Sequence, residues 1–159
     1  MIKLDDIDIS ILSHLRDDAK TQLKDLAREL KVHPNTLLQR VRKLEKAKII
    51  KKYTAEVDYA KTDIDLHIII MMKLRRVRAG DMEQLGDLIN IKELEAIYAT
   101  SGLWDVVAMC RVKNRKHLLE VIQRLGDHPV VTKTSSSIVL FEYKNPADYN
   151  PYVYEAAKK

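Results

Sequence analysis

The sequence predicts an α+β protein: a winged helix-turn-helix at residues 1–57, a connector at 58–63, a ferredoxin-like βαββαβ unit at 64–145 and a tail at 146–159. Three observations lead there. Up to Lys46 the apolar residues recur at helical spacing. From Leu66 they fall in strand-length runs that alternate with amphipathic stretches. Basic charge collects where the first pattern ends. The 159 residues carry a net charge of +5. Residues 1–30 hold 5 basic and 7 acidic side chains, residues 31–52 hold 8 basic ones against Glu45 alone, and the rest balances. A basic stretch inside a neutral chain suits a polyanion contact, although a solvated lysine-rich face has the same charge. Position decides between them.

Asp5 or Asp6 is placed to cap a first helix with Ile7, Ile11, Leu12 and Leu15 on one face. After the polar break at residues 16–20, Thr21 is expected to cap a second helix, whose buried side is Leu23, Leu26, Ala27 and Leu30. Lys31-Val32-His33 is a short connection, and Pro34 suits the first position of a third helix, where its missing N–H costs nothing. That helix runs to about Lys46 and buries Leu37, Val41 and Leu44. Its opposite face carries Asn35, Thr36, Gln39, Arg42, Lys43 and Lys46, with Arg40 on the flank. Such side chains fork onto guanine, pair with adenine edges or hold phosphates. Two short helices joined this tightly form a helix-turn-helix. The following run, Ile49 to Val57, is rich in strand formers and is expected to form a basic wing, its lysines lying beside backbone phosphates.

Beyond the connector, Leu66–Leu74 reads as a central strand and Asp81–Ile91 as a helix with Met82, Leu85, Leu88 and Ile89 on one side. Leu94–Ala99 and Val106–Val112 are strands joined through Ser101-Gly102-Leu103-Trp104-Asp105. Lys116–Leu125 is a second amphipathic helix, and Val130–Tyr143 a last strand. The order βαββαβ predicts two helices on one face of an antiparallel sheet. The other face needs a cover, which a second subunit supplies, so a dimer through the sheets is expected. The tail, with Tyr149, Tyr152 and Tyr154, either packs on a neighbouring subunit or stays mobile.

Several function classes drop out. The longest apolar run, Ile68 to Met72, is far short of a membrane span. Carboxylates in the first residues do not suit a signal peptide, so a cytoplasmic protein with no membrane partner is expected. One cysteine, Cys110, excludes an internal disulfide framework and a cysteine zinc finger. The five histidines lack ligand spacing, so no metal and no cofactor are expected. The absence of a glycine-rich phosphate loop or a nucleophile–base arrangement argues against an enzyme, and no catalytic residue is assigned.

The segments LDDIDISIL at 4–12, LARELKVHPNTLLQRVRKLEKAKIIKKY at 26–53, and SGLWDVV at 101–107 followed by a helix and TKTSSSIVL at 132–140 resemble the Lrp/AsnC (feast/famine) transcriptional regulators. The resemblance spans Leu4 to about Lys144. It implies a winged DNA-binding domain, a βαββαβ effector and assembly domain, dimers that associate into an octamer of four dimers, and amino acids or related metabolites as effectors. The chain departs from the family at three glycine or serine positions, carrying Lys31, His33 and Lys48 there. At Lys31 and Lys48 either a lysine accepts a positive φ at modest steric cost, or the turn takes another geometry. The two added charges favour phosphate attraction relative to base readout.

Asn35, Thr36, Gln39 and Arg40 are accordingly expected nearest the base edges of double-stranded DNA, with Arg42, Lys43, Lys48, Lys51 and Lys52 on phosphates. Two-fold symmetry predicts a pseudo-palindromic operator. The resemblance implies an amino-acid effector at Ser101, Gly102, Leu103, Trp104 and Asp105, with Thr134 and Ser136 from the last strand. Hydroxyls and backbone amides there suit a carboxylate, and Asp105 an ammonium. The other reading of these residues is a plain hairpin turn beside an ordinary strand. A non-specific architectural nucleic-acid-binding protein without an effector is the alternative function; base readout distinguishes the two.

Overall fold

A computed structural model describes residues 3–75 and 86–153. The chain folds as two units. The first comprises residues 3–56 together with 143–153, the second the described residues between 57 and 142.

In the first unit, α1 (Asp6–Asp17) starts at a capping box: the Asp5 carboxylate accepts the Asp8 N–H, and the Asp8 carboxylate accepts that of Asp5. Helices α2 (Leu23–Glu29) and α3 (Pro34–Lys46) follow. Ile11, Leu12, Leu26, Ala27, Leu37, Val41 and Leu44 form the core, and each fully buried leucine contributes about 2 kcal/mol. Thr21 does not cap α2. Gln22 holds that position without a side-chain bond, because the Thr21 hydroxyl donates to the Asp18 carbonyl instead. The expected wing strand is also absent among the described residues. Ile49 and Ile50 pack on the core, and the run from Lys51 to Val57 is exposed irregular chain. Strand formers make a strand only where a second backbone completes the ladder, and this run has no ladder partner.

In the second unit, β1 (Leu66–Leu74), α4 (Gly86–Ile89), β2 (Leu94–Ala99), β3 (Val106–Val112), α5 (Arg115–Gly126) and β4 (Val131–Ile138) follow in order. The four strands form an antiparallel sheet in the order β2-β3-β1-β4. Asp81 to Leu85 lie outside the described residues. Of α4, Leu88 is buried, whereas Ile89 is exposed rather than aligned with it. The strict alternation of β3 buries Val106, Ala108, Cys110 and Val112, which meet Ile68, Ile70 and Met72 of β1 and Leu88, Val121 and Leu125 of the helices. The opposite sheet face carries Ile69, Met71, Val107 and Met109, all half-buried.

The last strand ends at Ile138 rather than Tyr143. Ile138 pairs with Ile68, and one further bond joins the Val139 N–H to the His67 carbonyl. Residue 140 would oppose Leu66, where β1 begins, so nothing remains for the extension to pair with. The chain instead enters the first unit, where a 3-10 turn at Pro146–Asp148 leads to Asn150, which is only 8% exposed. The tail is thus part of its own chain's N-terminal unit.

Candidate nucleic-acid interface and effector loop

Burial of Leu37, Val41 and Leu44 orients α3. Residues one half-turn away must then point outward, and Asn35, Thr36, Gln39, Arg42, Lys43 and Lys46 are all exposed. Among the described residues, none of these side chains, nor those of Lys48, Lys51 and Lys52, has a hydrogen bond or ion pair. Their donors are free for an external acceptor.

Arg40 differs. Its Nη1 donates to Asp5 Oδ1 and Oδ2 at 2.8 and 2.7 Å and to Asp8 Oδ1 at 2.8 Å. The Asp8 side chain is only 4% exposed. The Asp8 N–H first, and then Arg40, hold the Asp5 carboxyl below its ordinary value, while the two carboxylates hold the guanidinium firmly charged. Arg40 therefore does not share the free face of the helix: it fastens α3 to the first turn of α1. The Asp5/Asp8 spacing is the signal in the sequence that points to this, since a capping box gathers two carboxylates at one helix end.

The turns on either side of α3 answer the question raised by the missing glycines. Lys31 and Lys48 both have positive φ, at 54° and 57°. Each follows a helix C-cap in a Schellman arrangement. Val32 N donates to Ala27 O and Lys31 N to Arg28 O; Ile49 N donates to Leu44 O and Lys48 N to Glu45 O. Val32 and Ile49 then pack on the core, which holds the turn closed against the lysine's steric preference. At the other end of α3, the His33 ring nitrogen Nδ1 accepts the Asn35 N–H at 3.2 Å, a cap usually supplied by a hydroxyl.

The 100–105 loop is cinched at its base. Thr100 N donates to Asp105 O and Thr100 Oγ1 to Trp104 O, while Asp105 N donates to Met72 O. Ser101, Gly102 and Leu103 project as an exposed tip, and Gly102 has a φ of +149°, which a side chain would strain. Asp105 is already engaged: Oδ2 accepts the Leu74 N–H at 2.9 Å and Oδ1 lies 3.4 Å from Lys73 Nζ. The Leu74 amide first, and Lys73 after it, hold its carboxyl below the ordinary range. Lys133 lies over the Trp104 ring, 5.8 Å from its centre. Thr134 and Ser136 pair with Met72 and Ile70, so they share the helix-covered sheet face rather than the face of Ile69 and Met71. Residues without an obvious sequence signal, Thr100, Lys73 and Lys133, complete the surroundings of the loop.

A helix with a free cationic and amide-bearing face, on a helix-turn-helix separate from a ferredoxin-like unit, defines a DNA-binding regulator. Two family models match: the AsnC-type helix-turn-helix domain over residues 4–45 and the Lrp/AsnC ligand binding domain over residues 67–148. The chain belongs to the Lrp/AsnC family of transcriptional regulators. It is 30% identical to the HTH-type transcriptional regulator FL11 of Pyrococcus horikoshii, over 92% of this chain and 96% of that one. With the regulator LysM of Sulfurisphaera tokodaii it shares 29% identity over 88% and 97% of the two chains. The fold is that of a Neisseria meningitidis transcriptional regulator solved in complex with L-Met, with a TM-score of 0.82 at 24% identity, covering 90% of this chain and 94% of that one. It is equally that of Escherichia coli AsnC, with a TM-score of 0.81 at 24% identity over 95% and 99% of the chains. In every described residue range no helix is long and apolar enough to cross a membrane.

Proposed function

We propose that the protein is a cytoplasmic, sequence-specific regulator whose α3 enters the major groove of double-stranded DNA. Asn35, Thr36 and Gln39 read base edges there, and Arg42, Lys43, Lys48, Lys51 and Lys52 hold phosphates. Arg40 positions the helix from behind. The observation that carries this reading is the exposed face of α3, whose donors have no partner among the described residues while its buried face is locked to the core. The half-buried strip of Ile69, Met71, Val107 and Met109 is the surface on which two copies pair, and four such dimers form an octamer. A two-fold dimer places paired helices about 10 bp or a multiple apart, hence a pseudo-palindromic operator.

The effector is an amino acid or related metabolite held near Ser101, Gly102, Leu103 and Trp104. A fold neighbour solved with L-Met supports that ligand class. Asp105, already bonded to the Leu74 amide, offers only its remaining acceptor capacity to an ammonium, so it shapes the loop as much as it binds. Thr134 and Ser136 contribute from the helix-covered side of β4. Such a ligand alters regulation only by binding two assembly states unequally.

Selection of bound DNA from a random pool, alone and with pooled amino acids, tests the function. A two-fold symmetric motif supports it; uniform retention of all sequences supports non-specific architectural binding instead. Sedimentation with each amino acid in turn reports the effector as a change in assembly.

A further inference from the structure

The polar surroundings of the 100–105 loop divide between the two faces of the sheet. Thr134 lies opposite Met72 and Ser136 opposite Ile70, whose side chains are buried beneath the helices. Lys73 lies opposite Lys133, one position along each strand, and both therefore take the other face. Lys133 Nζ is 5.8 Å from the centre of the Trp104 ring, so the indole stands on the side of the two lysines. Asp105 joins them through Lys73 Nζ at 3.4 Å, a long contact for a hydrogen bond. Lys133 has no other partner among the described residues. The N–H groups of Ser101, Gly102, Leu103 and Trp104 likewise donate to no acceptor among them. Two ammonium groups thus face one carboxylate, whose second oxygen is already taken by the Leu74 amide. The balance of charge beside the loop is positive.

We propose that Lys73, Lys133 and the loop amides form a carboxylate-binding site, so that the effector is a small organic acid whose ammonium group is dispensable. The inference rests on the effector reading and specifies its ligand. A carboxylate placed between two cross-strand lysines accepts charge-assisted hydrogen bonds from both ammonium groups, and the loop amides add further donors. An ammonium brought to the same place meets two like charges, while Asp105 has little acceptor capacity left to offer it. The Trp104 ring, with Lys133 across it, gives the rest of the acid an apolar wall.

Trp104 is the one tryptophan of the chain, so its fluorescence reports on this site. The full chain is titrated at constant ionic strength with L-leucine, with leucinamide, which lacks the carboxylate, and with 2-hydroxy-4-methylpentanoate, which lacks the ammonium. The same three forms built on methionine and on glutamate follow. At least one amino acid and its hydroxy acid are expected to shift the emission saturably, with affinities within about threefold of each other, and the amides to leave it unchanged. Lys133→Met keeps the aliphatic stem over the indole and removes the charge. It and Lys73→Met should each weaken binding about tenfold, while Lys133→Arg retains it. Circular dichroism shows that each variant is folded; should one fail to fold, the other and the wild-type ligand series decide. Hydroxy acids that fail where the amino acid or its amide succeeds would mean an effector held by its ammonium: the inference falls and the effector reading stands. Amides that bind as tightly as the acids overturn the inference too, as does undiminished binding in either folded methionine variant. A shift reproduced by sodium chloride reports screening rather than a site and also overturns it. If no compound moves the emission, the loop holds no such effector, and the effector reading falls together with the inference.

Discussion

Two arginines two positions apart, Arg40 and the free Arg42, have opposite fates because of what faces them. Arg42 looks outward, whereas Arg40 meets a carboxylate buried in the first turn of α1. Replacing Arg40 with alanine strands the Asp8 charge and is expected to cost about 3 kcal/mol of stability in a urea melt. DNA binding should weaken alike for all sequences. Gln39→Ala should instead relax preference at one position per half-site by about 1–3 kcal/mol, read from binding to single-base operator variants. If Arg40→Ala altered one base preference and left stability unchanged, its positioning role would be wrong.

Lys31 and Lys48 offer the converse experiment. Each sits at positive φ with a side chain it does not need for the turn. Lys31→Gly and Lys48→Gly are each expected to raise stability by about 1 kcal/mol, since glycine adopts this backbone without a Cβ clash. Lys48→Gly should at the same time lower the slope of log affinity against log salt by about 1, the change expected on losing the proposed phosphate contact. Stability and DNA affinity would then move in opposite directions.

Two histidines respond to pH with opposite sign. At His14 burial opposes the charge, but the Ser10 carbonyl at 2.7 Å and the Glu29 carboxylate at 3.0 Å outweigh it and raise the pKa above 6.5. Its stabilisation is complete below that value and is lost as pH rises through the folded-state pKa. His67 is driven below 6.5 by burial and by Arg111. Charging it is less favourable in the folded protein than in the unfolded chain, so stability falls as pH drops from 6.5 toward its folded-state pKa. An NMR titration should find His14 protonated before His67 as acid is added; the reverse order would contradict the two environments.

At the scale of the element, α3 shows how packing turns composition into function. Three buried residues fix the helix about its axis, and the polar residues between them are thereby aimed. The sheet works the same way with a period of two. Alternation in β3 sends Val106, Ala108, Cys110 and Val112 inward and leaves Val107 and Met109 on the other face. Placing a charge on that second face tests its proposed use. Met109→Glu should dissociate the oligomer in sedimentation while leaving the sheet folded, because residue 109 is only half-buried in the single chain. An unchanged oligomer would move the interface elsewhere.

For the whole molecule, the periodic signals are legible in the sequence itself. The spacing of Leu37, Val41 and Leu44 located α3, Pro34 its start, and the runs at 66–74, 94–99 and 106–112 the first three strands, since each reports on contacts its own residues make. Strand formers at 49–57 and 139–143 did not become strand, because a ladder depends on a partner backbone elsewhere. The capture of Arg40 by Asp5 and Asp8, the positive φ of two lysines and the docking of Asn150 on α1 were decided by tertiary structure alone. Hydrophobic periodicity is written along the chain. Which charge meets which, and which turn is held closed against its own preference, depends on residues far apart in sequence that only folding brings together.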